Sequence, residues 1–398
     1  MAWIIPENKL DPQQREFLDN NIGKDRNVWI KGFAGSGKSV LLAYSIQKII
    51  SKEPNARIAV VVYTHSLVQM FSEALAEKGL LGGVDVYTCY DFIDNKVDRG
   101  NRWDYILCDE VQDMTRPMLS AVIRSGDRVI IAGDENQSIY ATDVRYKKPT
   151  LSPSETQGIL NGESFSLNII HRLSNSIIEA VKLMMIPGMD IFSAKIDMTK
   201  SDTQIRLCKA DSEDEEIDYV FEQASQAANE RYTAAVLFPT KKLAIRFADR
   251  ILTSRGHQPW GQMRNTFGNY DFGDLNAHLE NNGINMQYIG NRYGHLSTYD
   301  TCISLMTYHS AKGLDFEYVF IPFADEKNMA SLLERPGTTV ERAMTLFMVA
   351  MTRAKENLTF TYTGELSRFV RRFQDKCSQI NLSERSSSST TSENIWGF

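Results

Sequence analysis

The chain has little that would take it out of the cytosol. No apolar run approaches the ~18 residues of a membrane-spanning helix. No charged-then-apolar export segment opens it. The expected location is therefore cytoplasmic, with no membrane partner. Cysteine is sparse: Cys89, Cys108, Cys208, Cys302 and Cys377 include no C-x-x-C pair. No structural zinc is implied, and the usage suits a reducing compartment. No acid-acid-lysine cluster of nuclease type stands out, so strand cleavage is not expected. A surplus of positive charge is missing too. Lys and Arg number 44 against 50 Asp and Glu, a net charge of −6. Residues 1–160 hold 19 basic and 21 acidic side chains, and the remainder 25 and 29. That balance argues against strong duplex binding by phosphate neutralisation. It leaves room for a single-strand groove with few charges and several aromatics.

What the chain does have is a glycine-rich loop, Gly32-Phe33-Ala34-Gly35-Ser36-Gly37-Lys38-Ser39, which fits G-x-x-x-x-G-K-[ST]. The run before it, Asn27–Ile30, reads as a short buried strand. The run after it, Val40–Ile46, reads as a helix with apolar residues at mixed spacings of three and four. Glycines at 32, 35 and 37 let the backbone curl so that its N–H groups, that of Ser36 included, point inward at phosphate oxygens. The helix N-terminus adds unpaired donors and a positive dipole end. Lys38 supplies charge for the β- and γ-phosphates, and Ser39 a hydroxyl for Mg²⁺. The expected ligand is ATP with Mg²⁺.

A second apolar strand, Trp103–Cys108, ends in Asp109-Glu110-Val111-Gln112-Asp113. Carboxylates at the C-terminal end of a strand in a parallel sheet face the ligand crevice. Asp109 is the expected Mg²⁺ holder. Glu110 is the expected group that orients and deprotonates the attacking water, since phosphoryl transfer depends mostly on positioning and charge stabilisation. A third strand, Arg128–Ala132, leads into Gly133–Tyr140, where Gln137 is placed to sense a γ-phosphate.

With these blocks in this order, the chain resembles the UvrD/Rep/PcrA-type helicases of superfamily 1 over most of residues 8–362. The resemblance implies an α/β fold: two RecA-like P-loop NTPase lobes with parallel sheets, about 1–160 and 161–380, and the ATP site in the cleft between them. Leu10–Arg15 is similar to the Q motif, with Gln14 as adenine reader. Tyr63–Ser66 and Val86–Tyr90 are similar to motifs Ia and Ib, which would put Thr64, His65, Thr88 and Tyr90 on the single-strand track. Asp109–Asp113 stands as motif II. Gly133–Tyr140 stands as motif III, with Gln137 coupling nucleotide to DNA and Tyr140 on the track. Leu167–Arg172 is similar to motif IV, with His171 at the base and Arg172 on the γ-phosphate. Met306–Phe316 resembles motif V. There Thr307 and His309 would touch the DNA backbone, Gly313 the nucleotide and Asp315 the ribose. Phe347–Lys355 resembles motif VI, with Arg353 as the second arginine on the γ-phosphate.

The sequence departs from the family pattern at Val40, where relatives carry Arg, and at His171, where they carry Tyr. It departs again at Ala141–Arg145, where relatives have an aromatic-Arg-Gly run. The interval from Thr64 to Asp109 is too short for an accessory domain. Between Arg172 and His309, a segment at 253–299, rich in Gly, Asn and Tyr, reads as a reduced accessory insertion. The expected architecture is thus near-minimal. The Ser/Thr-rich stretch from Ser383, within a tail at 381–398, is expected to be disordered. Three functional readings follow. The first is a 3′→5′ single-stranded DNA translocase or helicase, with DNA preferred to RNA. The second is a nucleic-acid-triggered ATPase switch that regulates a protein partner such as a nuclease. The third is a nucleotide-binding scaffold without catalysis, against which the intact Lys38, Glu110, Arg172 and Arg353 speak.

Overall fold

The computed structural model describes residues 4–97, 100–134, 142–143, 145–185, 195–196, 202–290, 292–296, 301–334 and 338–386. Apolar runs bounded by glycines and acids become six strands in the first part of the chain: β1 (Val28–Gly32), β2 (Ile58–Val62), β3 (Val84–Thr88), β4 (Trp103–Cys108), β5 (Gly126–Gly133) and β6 (Glu163–Leu167). They form one sheet in the order β3-β2-β4-β5-β1-β6, with every pairing parallel. A short parallel pair, β7 (Ile169–Ile170) with β8 (Lys195–Ile196), follows. The second sheet contains β9 (Gln204–Ala210), β10 (Ala234–Phe238), β11 (Met286–Tyr288), β12 (Ile303–Thr307), β13 (Phe316–Ile321), β14 (Ala354–Thr363) and β15 (Ser378–Asn381). Its order is β11-β12-β10-β13-β14-β9-β15, again parallel throughout. The fold is α/β, with two parallel sheets.

The strands read as continuous apolar runs because both faces of each sheet are covered. In β2, Ile58, Val60 and Val62 join one core, while Ala59 and Val61 join the core on the opposite face. The second sheet alternates likewise: Ala235 and Leu237 of β10 point to one side, Val236 and Phe238 to the other. The core holding Ile58 and Val60 also holds Leu237, Met306 and Ile321. One apolar cluster therefore runs from sheet to sheet.

Three boundaries differ from the sequence reading. β6 ends at Leu167 and pairs with β1, so the first sheet extends past 160. The segment at 253–299 is not an appendage. Its helix Phe272–Asn281 packs Phe272, Leu275 and Leu279 into the second core beside Trp260, and β11 forms an edge of the second sheet. Phe272 stacks on Tyr288 with ring centroids 3.7 Å apart. The aromatics of the segment are what bury it. At the C-terminal end, Asn381 closes β15 and Leu382–Ser386 forms a short helix with Leu382 buried. Order therefore continues past 381, while residues 387–398 lie outside the described residues. No helix among the described residues is long and apolar enough to cross a membrane.

One buried acid makes the second sheet sensitive to pH. Glu216, on helix Glu213–Asn229, is fully buried. Its Oε1 accepts hydrogen bonds from the Phe323 backbone N–H at 2.6 Å and the Thr361 hydroxyl at 2.7 Å. Burial outweighs these bonds and pushes its pKa from 4.5 up to about 7. The folded chain thus holds a proton that the unfolded chain releases. The resulting stability is present below about pH 4.5 and is lost as pH rises through 7. Glu216→Gln, which stays neutral, should be the more stable form at pH 8 by on the order of 3 kcal/mol, with the advantage vanishing near pH 4. Denaturant midpoints of both proteins across that range measure it; parallel pH curves would contradict it.

Candidate active site

The glycine-rich loop joins β1 to helix α2 (Lys38–Lys52). Gly35 and Gly37 take left-handed backbone angles, with φ of 78° and 82°. A Cβ at Gly35 would meet the Arg172 Cβ at 2.6 Å, and one at Gly37 the Gln14 Nε2 at 2.4 Å. Only glycine fits either position. Gly32 and Ser36 lie beneath the curl, with Ser36 fully buried. The Lys38 ammonium rests on the loop's own carbonyls, 2.8 Å from Gly32 O and 2.9 Å from Phe33 O. It is held over the cradle by contacts that an anion could replace.

Ser39 and Asp109 meet as a pair of hard oxygens: Ser39 Oγ donates to Asp109 Oδ2 at 2.5 Å. Asp109 is 1% exposed. Burial first, and then the neighbouring Glu110 charge, push its pKa up to about 6. A carboxylate so placed suits a cation. One carboxylate and one hydroxyl suit Mg²⁺, which takes few protein ligands and shares the rest with substrate phosphate and water. Among the described residues, no group of three or more His, Cys, Asp or Glu forms a metal cage.

Glu110 has a left-handed backbone, φ 56°, which turns its carboxylate off the strand end. Burial works to raise its pKa, but Lys312, Lys38 and the Gln112 amide outweigh it, and the group stays ionised below its ordinary range. Gln112 Nε2 donates to Glu110 Oε2, and Gln112 Oε1 accepts from the Asp134 N–H at 3.1 Å. One amide therefore ties the acid to the end of β5. Lys312, from the loop after β12, lies against Asp113 and 3.5 Å from Glu110. Burial alone would discharge this ammonium, yet the two carboxylates keep it charged. Lys312, Asp113 and Gln112 all stand within the motifs quoted above, but nothing local in the sequence reveals their pairing.

Arginines from beyond the first sheet complete the site. Arg172 and His171 dock on the glycine-rich loop through backbone N–H bonds to Gly35 O, at 3.2 and 2.9 Å. The Arg172 guanidinium stands 3.8 Å from Asp315. Arg353 donates to Val349 O at 2.7 Å, Leu314 O at 3.0 Å and Thr352 Oγ1 at 2.9 Å. Burial, and then the charge of Arg172, press Arg353 towards lower proton affinity. Two buried guanidiniums in one cavity call for an anion between them. Asp315 is held by the Lys355 ammonium at 2.7 Å, so the expected ribose partner is already engaged. Lys355 itself carried no role in the sequence reading.

These groups converge. Gln14, Gly35, Gly37, Lys38, Ser39 and Glu110 line a cavity of about 260 Å³ together with His171, Arg172, Gly313, Asp315 and Arg353. Gly313, at φ 82°, packs against Leu67 so closely that a Cβ would come within 2.8 Å. Gln137 and Tyr140 lie outside the described residues.

The expected single-strand contacts are placed differently. Thr64, Thr88 and Thr307 all sit at C-terminal strand ends, but their hydroxyls serve the backbone. Thr64 caps helix α3 (His65–Glu77), accepting from the Leu67 N–H at 3.3 Å. Thr88 accepts from the Asp91 N–H at 3.2 Å, and Thr307 from the Ser310 N–H at 3.3 Å. His65 accepts from Arg292 Nε at 3.0 Å, which fits the lowering of its pKa by burial and by that guanidinium. Tyr90 donates to Asp143 at 2.5 Å and meets the Tyr63 hydroxyl at 3.1 Å. His309 lines a separate small hollow with Pro239 and Arg342.

The ion pair between the sheets is open to a direct test. Lys312→Met leaves Asp113 and Glu110 buried without their cation and should destabilise the chain by about 3–5 kcal/mol. Adding Asp113→Asn should recover part of that loss. Chemical denaturation of the parent, single and double variants measures both; an unchanged midpoint for the single variant would remove Lys312 from the account.

Comparison with known proteins fits this geometry. Residues 14–143 match an AAA domain family, and residues 263–365 the UvrD-like helicase C-terminal domain. Over 126 residues the chain is 33% identical to DNA helicase II of Haemophilus influenzae, covering 25% of this chain and 17% of that protein. Over 70 residues it is 40% identical to DNA helicase II of Escherichia coli, covering 17% of this chain and 10% of that one. The chain thus spans only a small part of the length of these relatives. Among solved structures, the C-terminal domain of a possible DNA helicase from Lactobacillus plantarum aligns with a TM-score of 0.34 and 16% identity, over 52% of this chain and 98% of that one. The two family matches fall on the two sheets separately, and the cavity is built from both matched regions. In its motif order and in these matches, the chain is similar to the UvrD/Rep type of superfamily 1 helicases.

Proposed function

We propose that the chain is an ATP-hydrolysing motor that moves on single-stranded DNA in the 3′→5′ direction, with hydrolysis tied to approach of the two sheets. The observation that carries this reading is the shared cavity. The phosphate cradle and acids come from the first sheet, Arg172 from the connection beyond it, and Arg353 from the second. In this reading Lys38 leaves the Gly32 and Phe33 carbonyls for the β- and γ-phosphates. Ser39 and Asp109 hold Mg²⁺, which when bound neutralises charge on the phosphates. Glu110 orients the attacking water. Its ionised state, secured by Lys312 and Lys38, suits a role that is mainly positioning. Arg172 and Arg353 meet the charge that develops on the transferred phosphoryl group, at a cavity whose burial strengthens each contact. Gln137 couples nucleotide to DNA.

A second reading is a nucleic-acid-triggered ATPase that signals to a protein partner such as a nuclease and unwinds little. The net charge of −6 and the commitment of three track hydroxyls to backbone caps favour it. ATPase stimulation by single-stranded DNA, single-stranded RNA and duplex, run beside strand displacement on a 3′-tailed duplex, separates the readings. Displacement supports the motor; stimulation without displacement supports the switch. Glu110→Gln should bind ATP as the parent does and lose turnover by at least about a hundredfold. Normal turnover of that variant in saturating single-stranded DNA would take the water-positioning role away from Glu110.

A further inference from the structure

Residues 292–296 cross from the edge of the second sheet to helix α3, which packs on the first. The crossing begins near the end of β12, where a Cβ on Gly290 would meet the Ser310 Oγ at 2.7 Å. Glutamine side chains brace it on both sides. Gln287 of β11 donates to His295 O at 2.7 Å and accepts from the His295 N–H at 3.2 Å. Gln69 of α3 does the same for Leu296, at 3.3 and 3.2 Å. Gly290 and Tyr293 exchange two backbone bonds, at 3.1 and 3.0 Å. The Tyr293 hydroxyl accepts from the Asn265 amide at 3.4 Å. A segment held at so many points is fixed before any ligand arrives, which lowers the cost of binding one.

Arg292 is the cation of this crossing. Its backbone is left-handed, with φ of 75°. A long side chain keeps that conformation only where its surroundings enforce it. The side chain is exposed, yet its aim is set: Nε donates to His65 Nε2 at 3.0 Å. His65 can accept there only while neutral. Burial, and then the guanidinium itself, lower its pKa and keep it so, with Asp91 opposing. The bond occupies one edge of the guanidinium and leaves the Nη1–Nη2 edge open. Among the described residues those two groups meet no acceptor, and no carboxylate pairs with Arg292. A planar pair of N–H groups suits the two oxygens of a phosphate. It stands at the C-terminal ends of two parallel sheets, tied to the β2 end through His65 and near the β12 end through Gly290. That is the crevice where such folds hold ligands.

We infer that Arg292 binds the backbone of single-stranded nucleic acid, its Nη1 and Nη2 donating to one phosphodiester. His65 is a positioning residue that aims the guanidinium, and the contact expected of His65 itself passes to the arginine that it holds. The inference deepens the single-strand reading above, but it needs no hydrolysis.

The test is binding of a fluorescent oligo(dT) of about 20 nucleotides to the full chain, without nucleotide, between about 50 and 200 mM salt. One phosphate contact on a single strand contributes about 0.7 to the slope of log affinity against log salt. Arg292→Gln should lower that slope by about 0.7 and weaken binding about tenfold. Arg292→Lys keeps the charge and should keep the slope, with a smaller loss of affinity. His65→Ala should weaken binding in the parent but not in the Arg292→Gln background, because it acts through Arg292. An unchanged slope for Arg292→Gln, read below its thermal midpoint, overturns the inference. So does an equal fall in slope for Arg292→Lys, or a parent that does not bind the oligonucleotide. Equal costs of His65→Ala in both backgrounds would return the contact to His65. The expected slopes without strand displacement by the parent would uphold the site and sink the motor reading alone.

Discussion

The two sheets meet around one buried ammonium. Lys312 is 3% exposed and lies between Asp113 and Glu110, which belong to the other sheet. Withdrawing such ions from water costs several kcal/mol each and is offset only while all partners stay in place. The position of Glu110 therefore depends on where the second sheet stands. The dependence runs both ways, because Gln112 ties Glu110 to Asp134 at the end of β5. A displacement of either sheet alters the charge around the acid that is proposed to position water. Coupling needs physical linkages of this kind, where one arrangement biases another.

The cleft holds buried groups of both charges. Burial, and then the neighbouring Glu110 charge, raise the pKa of Asp109. Arg172 and Arg353 share a buried space whose two positive charges oppose one another. Asp315, Glu110 and Asp134 offset them, although the nearer partner of Asp315 is Lys355. A magnesium triphosphate brings a cation suited to Asp109 and an anion suited to the arginines in one molecule. This is a stronger reason to expect such a ligand than the loop pattern alone.

Much of the site was legible because its signals are local. A strand, a glycine-rich turn and a helix start can be read in one short window, and so can paired acids after an apolar run. The two parallel sheets followed from those runs, whose residues divide between opposite cores. What escaped is non-local. The Lys312–Asp113 pair joins residues 199 positions apart, and no periodicity announces it. The segment at 253–299 stood out in the sequence by its Gly, Asn and Tyr, and composition cannot show Phe272 lying on Tyr288. Thr64 and Thr88 carry a second, local signal. A threonine opening a helix is a capping signal in its own right, and the family resemblance drew attention to nucleic acid instead.

That capping is not idle, because of which helix Thr64 fixes. Helix α3 touches three separate parts of the machine. Met70 lines the nucleotide cavity. Leu67 packs against Gly313 of the second sheet's motif. His65 and Gln69 hold residues 292–296, with Gln69 both donating to Leu296 O at 3.3 Å and accepting from its N–H at 3.2 Å. Residues 65, 67, 69 and 70 lie within little more than one helical turn. A helix is stiff over that length, so displacement at Met70 is carried to Gln69 and His65 with little loss. The cap at Thr64 sets the N-terminal end of that lever, beside the strand ends where a nucleic acid is expected. A hydroxyl engaged this way fixes the position of the helix that links the cavity to residues 292–296.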